Sequence, residues 1–292
     1  MQGSVTSVWD ADPMKWFRRR PAAPPAEWFV DAPSPWTLQV PTTGVFCPIC
    51  RWKGSAFEGV PHSESAICPQ CGSVSRDRFL FWSFVSRTEP HLGRRVWETS
   101  PRLAEPYREA MRSWFQYTCS DYDERHHKGT VRIDLQQIDL PDSSVDVLLT
   151  PHVLEHVPDT AAALAEIRRV LAPGGRMYLQ VPVLQGRTAP PVEPEFHGDN
   201  TPVFWRFGPE LTDALRAAGF ATTLLCTLPW LDAVSEGRTE WPTPASPEFD
   251  VASVLQGSTA ADLVSIATGP QASVLGIEPA YQFLTWECIN PT

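Results

Sequence analysis

Four cysteines, a pair of histidines and several acids at the ends of apolar runs carry most of the reactive chemistry in this chain. Cys47-Pro-Ile-Cys50 and Cys68-Pro-Gln-Cys71 are two C-x2-C pairs separated by seventeen residues. Thiolates at this spacing can surround one tetrahedral zinc ion, and four sulfur ligands leave no position open for a substrate. The expected ion is therefore a structural Zn2+ held by Cys47, Cys50, Cys68 and Cys71. His62, between the pairs, reads as an ordinary loop histidine. Cys119, Cys226 and Cys288 read as buried small apolar residues. A second pattern, His152-Val-Leu-Glu155-His156, matches the H-x-x-E-H of some zinc peptidases. Its setting argues against that chemistry: an apolar strand-like run and Pro151 precede it, and no third ligand region follows. Packing of a helix face beside a ligand is the expectation for these histidines.

Side chains of this kind need elements that aim them. Val145–Leu149 is short, apolar and rich in β-branched residues, as in a strand buried on both faces. Thr160–Leu171 carries Leu164, Ile167, Val170 and Leu171 at helical spacing, and Pro173-Gly174-Gly175 should stop that helix. Met177–Val181 resumes a buried strand. A strand–helix–strand unit implies a parallel sheet with a right-handed crossover. Ligands in such sheets sit outside the carboxyl ends of the strands. Upstream, strands are expected over Arg95–Glu98, over Phe115–Ser120 with Asp121 at its end, and over Thr130–Ile133 with Asp134 at its end. Asp121 follows Glu98 by 23 residues, the span of one helix and one strand. Its position suits hydrogen bonds from a ribose diol, and Tyr122 could pack on an adenine face. Asp146, at the opening of its strand, reads as structural. Thr150 and His152 fall at the ligand end.

The run Asp134-Leu135, Leu140-Pro141-Asp142, Val145-Asp146-Val147, His152-Val153-Leu154-Glu155-His156-Val157 and Leu171-Ala172-Pro173-Gly174-Gly175 resembles, in this order and spacing, the second half of a class I S-adenosylmethionine-dependent methyltransferase. The resemblance extends over about residues 94–228. It implies an α/β fold: a Rossmann-like, doubly wound, mostly parallel sheet, here with a small N-terminal zinc-ribbon module. It also implies S-adenosyl-L-methionine as cofactor, Asp134 as acceptor for the adenine amine and Leu135 as a backbone donor to the ring. The first strand departs from the family. Val96-Trp97-Glu98-Thr99-Ser100-Pro101-Arg102 lacks the usual glycines, and Pro101 removes a backbone donor. One reading is a repurposed domain. The other is a variant loop in which Thr99, Ser100 and Arg102 meet the cofactor carboxylate. The second is the expectation, because a ribbon followed by an Arg-x-Arg helix (Arg76, Arg78) resembles one bacterial methyltransferase group with a similar proline-bearing loop. Trp97 and Glu98 complete the expected cofactor-binding stretch.

Composition narrows the partners. The net charge is −10, and Lys15, Lys53 and Lys128 are the sole lysines. That argues against a broad nucleic-acid footprint, which needs clustered basic residues. A small-molecule acceptor is expected, with O-methylation using His152 or His197 as base. An RNA-modifying enzyme and a non-catalytic binding protein are the alternatives. No signal-peptide pattern opens the chain and no run reaches membrane length, so a cytoplasmic location is expected. The 30 prolines concentrate in 21–41, 182–209 and 229–247, which read as loops. The expected organisation is a Pro-rich arm over 1–43, the ribbon over 44–75 and the core over 76–228. Residues 229–273 are expected to cover the site or make a homodimer contact, and strands over 274–292 to complete the sheet.

Overall fold

β-branched apolar runs alternating with capped helices build one eight-stranded sheet with helices packed on it. The structure, a computed structural model, describes residues 34–59, 66–123, 131–183, 188–197, 200–208, 210–236, 263–277 and 284–292. Most of the expected Pro-rich arm, much of the 229–273 segment, and His62 and Asp199 lie outside the described residues. In chain order the elements are β1 (Val45–Phe46), β2 (Lys53–Gly54), α1 (Ser75–Arg87), β3 (Arg95–Thr99), α2 (Glu105–Trp114), β4 (Gln116–Asp121), β5 (Val131–Arg132), β6 (Val145–Pro151), α3 (Thr160–Val170), β7 (Leu171–Gln180), β8 (Glu195–Phe196), β9 (Pro202–Val203), α4 (Leu211–Ala217), β10 (Ala221–Cys226), α5 (Leu228–Ser235), β11 (Leu263–Ser265), α6 (Gly269–Leu275) and β12 (Thr285–Ile289).

The main sheet runs β11-β10-β12-β7-β6-β3-β4-β5. Its strands pair in parallel, except that β12 lies antiparallel between β7 and β10. From β3 the chain winds outward to β4 and β5, then returns to the other side of β3 as β6. The strand order therefore reverses between β3 and β6, and a ligand crevice is expected at their carboxyl ends. Trp97, Leu148, Leu149, Tyr178 and Trp286 are essentially inaccessible to solvent, so the sheet is covered on both faces.

Capping explains several boundaries. Asp159 accepts the Ala162 N–H at 2.9 Å and starts α3. The helix ends one residue before the expected Leu171, which opens β7. Between Leu171 and Arg176 strand β7 bulges against β6 with a register shift, and Asn290 Nδ2 donates to the Leu171 carbonyl at 2.8 Å. Ser75 is the first residue of α1. Val74 holds the cap position, and its N–H donates to Asp77 Oδ2 at 3.0 Å.

Two expectations in the C-terminal third are corrected. Val274–Ile277 reads as a strand, but Gly269–Leu275 is helix. Thr268 and Gln271 form a reciprocal capping box at its start, and Gly276, at φ +58°, ends it in the left-handed region. Pro229 opens a helix, Leu228–Ser235, inside a stretch read as linker. Within 229–273, β11 joins the main sheet beside β10. No helix among the described residues is long and apolar enough to cross a membrane.

Candidate functional site

The ribbon brings its four sulfurs together. Cys47 Sγ lies 3.6 Å from Cys71 Sγ, and Cys50 Sγ 3.6 Å from Cys68 Sγ. All four fall within 4.8 Å of one another. A tetrahedron with Zn–S arms near 2.3 Å has edges of about 3.8 Å, so the donor set fits zinc. Ser73 Oγ adds contacts at 3.4 Å to Cys47 Sγ and 3.2 Å to Cys71 Sγ. Arg78, wholly buried, fastens this unit to the core. Its guanidinium donates to the carbonyls of Ser73 (2.6 Å), Ala66 (2.9 Å), Leu275 (3.0 Å) and Gly276 (2.8 Å), and lies 3.9 Å from the centre of the Phe57 ring. Backbone carbonyls, not carboxylates, make this tie. Gly276 is required here, because a Cβ would fall 2.2 Å from the Phe57 ring.

At the carboxyl ends of β3 and β6 a narrow crevice opens, lined by Ile49, Asp77, Leu80, Phe81, Glu98, Arg102, Leu103, Tyr107, Leu149 and Pro151. Glu98 is buried, and its Oε2 accepts from Tyr117 Oη at 2.6 Å and Tyr107 Oη at 3.2 Å. Burial pushes its carboxyl up to about 7, against the pull of the two hydroxyls. Trp97, its neighbour, points to the opposite face and donates to Ser120 Oγ at 2.8 Å. Trp97 therefore stands apart from the crevice it was expected to line.

The loop after β3 achieves by another residue what glycine usually provides. Ser100 sits at φ +46°, and its N–H donates to the Ser120 carbonyl at 2.7 Å. Thr99 Oγ1 donates to Thr150 Oγ1 at 2.9 Å, tying the tips of β3 and β6 across the reversal in strand order. Arg102 reaches Asp77 at 3.9 Å. On the adjoining strands Asp121 is nearly buried, and its Oδ1 accepts the Asp123 N–H at 3.1 Å. Tyr122 is exposed, with the Arg132 guanidinium 5.5 Å from its ring centre. Asp134 Oδ1 accepts from the Gln136 backbone and side chain at 2.9 and 3.1 Å, while Leu135 is buried. Asp146 binds Arg95 at the amino end of the sheet, away from the crevice, as expected of a structural acid.

The histidines stand on a turn, not on an α-helix face. His152 adopts φ +52°, its N–H donates to the Gln180 carbonyl at 2.8 Å, and only Leu154–His156 forms a single 3-10 turn. His152 Nδ1 lies 3.7 Å and His156 Nε2 3.8 Å from one oxygen, Oε1 of Glu155. The Glu155 carboxyl is buried, and neither oxygen has a hydrogen-bond donor from another described residue. Burial pushes it up to about 8, against the pull of its own backbone N–H and then of Arg102 and Arg76. The β8–β9 hairpin closes over this turn: Phe204 N–H donates to the Glu155 carbonyl at 2.8 Å, and His156 Nδ1 hydrogen-bonds the Pro202 carbonyl at 2.7 Å. His197, exposed on that hairpin, packs edge-on against His156 with ring centres 4.6 Å apart. His152 and His197, far apart in sequence, thus flank one Glu155–His156 pair. Glu155 and Asp77 escaped sequence reasoning as site residues. A carboxylate inside H-x-x-E-H was the available signal for the first.

Residues 107–179 match the family model described as a methyltransferase domain. Over 113 residues the chain is 35% identical to a probable S-adenosylmethionine-dependent methyltransferase of Mycolicibacterium smegmatis, covering 34% of this chain and 41% of that protein. A 49-residue stretch is 51% identical to an uncharacterized 37.1 kDa protein in transposon TN4556 of Streptomyces fradiae, covering 17% of this chain and 14% of that protein. The chain thus spans less than half the length of either curated relative. Among solved structures, the YcgJ protein of Bacillus subtilis is 19% identical with a TM-score of 0.38, over 49% of this chain and 69% of that one.

Proposed function

We infer that this chain, which carries a class I S-adenosylmethionine-dependent methyltransferase domain, transfers a methyl group from S-adenosyl-L-methionine to a small-molecule acceptor, most simply at oxygen. The observation that carries this reading is the shared carboxyl edge of the sheet. Thr99 and Ser100, Asp121, Asp134 and Thr150 all stand there, on both sides of the reversal in strand order.

When bound, the cofactor supplies an electrophilic methyl on a sulfonium that leaves as a neutral thioether. The chain's part is to hold donor and acceptor in line and to exclude water. Asp121 would accept from the ribose diol, with Tyr122 against the adenine. Asp134 and the backbone of Leu135 would meet the ring edge. Glu98, Thr99, Ser100 and Arg102 would receive the amino-acid end. A hydroxyl acceptor must lose a proton as it attacks, and His152 or His197 would take it. The four-cysteine site would hold Zn2+ in a structural role, with no ligand position left for substrate.

Acidic composition supports a small acceptor over a nucleic acid. Calorimetry with S-adenosylmethionine and S-adenosylhomocysteine is the first test, and absence of binding to both would sink the reading. Candidate acceptors are then scored by a mass gain of one methyl. Full turnover by both His152→Ala and His197→Ala from about pH 6 to about 8 would remove the base assignment.

A further inference from the structure

We propose that Asp77, carried by the helix that follows the ribbon, binds the α-ammonium of the cofactor's amino-acid end, so that the N-terminal module and the sheet build the cofactor site jointly. This rests on the reading that the crevice takes S-adenosylmethionine.

The first ground is the charge inventory of the crevice. Its walls carry one guanidinium, Arg102, and two carboxyls, Asp77 and Glu98. That set complements an amino acid in its zwitterionic form: a guanidinium for the carboxylate and an acid for the ammonium. The second ground is the like-charge arrangement. The Asp77 side chain is 10% exposed. It lines the same crevice as buried Glu98, whose carboxyl is pushed up first by burial and then by the Asp77 charge. Two acids sharing a low-dielectric crevice favour a cation between them.

The hydrogen bonds leave each acid with an oxygen for that cation. Asp77 Oδ2 accepts the Val74 N–H, and Oδ1 faces Arg102 Nε at 3.9 Å, beyond hydrogen-bond distance. On Glu98 both tyrosine hydroxyls address Oε2. Position supplies the third ground. The crevice lies at the carboxyl ends of β3 and β6, where the strand order reverses and where Ser100 turns the chain, the place expected for the amino-acid end. Asp121 and Asp134 stand beyond it on the nucleoside side. Ile49, within the first cysteine pair, forms part of the same wall.

The experiment is calorimetry on the full-length, zinc-loaded protein with S-adenosylhomocysteine, its deaminated analogue and 5′-methylthioadenosine, which lacks the amino-acid end. Asp77→Asn keeps an oxygen acceptor for the Val74 N–H, so the start of α1 is preserved; zinc content and the thermal midpoint verify this. The expected result is roughly ten- to hundredfold weaker binding of S-adenosylhomocysteine, with methylthioadenosine binding unchanged. Wild type should favour S-adenosylhomocysteine over the deaminated analogue, and the variant should lose that preference. Equal affinity of variant and wild type for S-adenosylhomocysteine would overturn the proposal. So would a matching loss for methylthioadenosine, which would mark Asp77 as a scaffold residue. Failure of wild type to bind any of the three would overturn the cofactor reading itself.

Discussion

Glu287 and Glu155 are both almost fully buried, at 1% and 2% exposure, yet their surroundings are opposite. Glu287, on β12, receives Arg87 through Nε at 3.1 Å and Nη2 at 2.7 Å, together with Arg176 and Tyr178. Its charge is compensated inside the sheet, and it staples α1, β7 and β12 together. Glu155 has two imidazoles just outside hydrogen-bond distance and no donor from another described residue. Burying a carboxyl this way opposes folding and raises its proton affinity. Glu287, deep in the scaffold, is satisfied, whereas Glu155, at the carboxyl edge, is not. This contrast separates support from site more sharply than burial does, because unsatisfied buried groups call for a functional explanation.

The comparison can be broken by substitution. The largest effect is expected at the best-satisfied group: Arg78→Met should cost about 3–5 kcal/mol in denaturant unfolding, because four carbonyls lose their donor. It should also weaken zinc retention, read by a chromogenic chelator. Glu287→Gln should destabilise by about 3 kcal/mol at neutral pH, since Arg87 and Arg176 would lose their counter-charge. Glu155→Gln should act in the opposite direction. With folded values near 8 for Glu155 and 7 for Glu98, both above the ordinary carboxylate value of 4.5, these acids favour folding fully below about pH 4.5. That contribution is lost as pH rises to about 8. Above it, Glu155→Gln should exceed wild type by roughly 2–4 kcal/mol, measured as a difference between two pH–stability curves. A Glu155→Gln penalty equal to that of Glu287→Gln would erase the distinction. The smallest effect is expected at Asp142, which is exposed and paired with Arg169: Asp142→Asn should leave the thermal midpoint within error.

Much of the scaffold was legible because its signals are local. β3, β4, β6 and α3 follow from apolar period and caps, and the cysteine pairs from spacing alone. The failures have physical causes. Val274–Ile277 has strand-like composition, but Thr268 and Gln271 lock a helix start upstream, and that capping pattern was written in the sequence. His152-x-x-Glu155-His156 suggested a helix face, whereas the backbone of His152 is left-handed and anchored to Gln180 on β7. Gathering His197 beside His156, or Asp77 beside Arg102, depends on tertiary packing between distant segments, which no local pattern encodes. Ser100 shows the converse: a glycine-poor loop still makes its turn, because the Ser120 carbonyl holds the residue in a conformation usually left to glycine.

The Arg78 clasp also bears on the order of assembly. Two of its acceptors, Leu275 and Gly276, lie 197 and 198 residues further along the chain. During synthesis the ribbon emerges well before the carbonyls that dock it. A metal ion held by the four cysteines would therefore be captured long before the module finds its seat, and until the Gly269–Leu275 helix arrives an arginine-bearing surface waits for its partners. Deletion of the Gly269–Leu275 helix and Gly276 should thus release the ribbon.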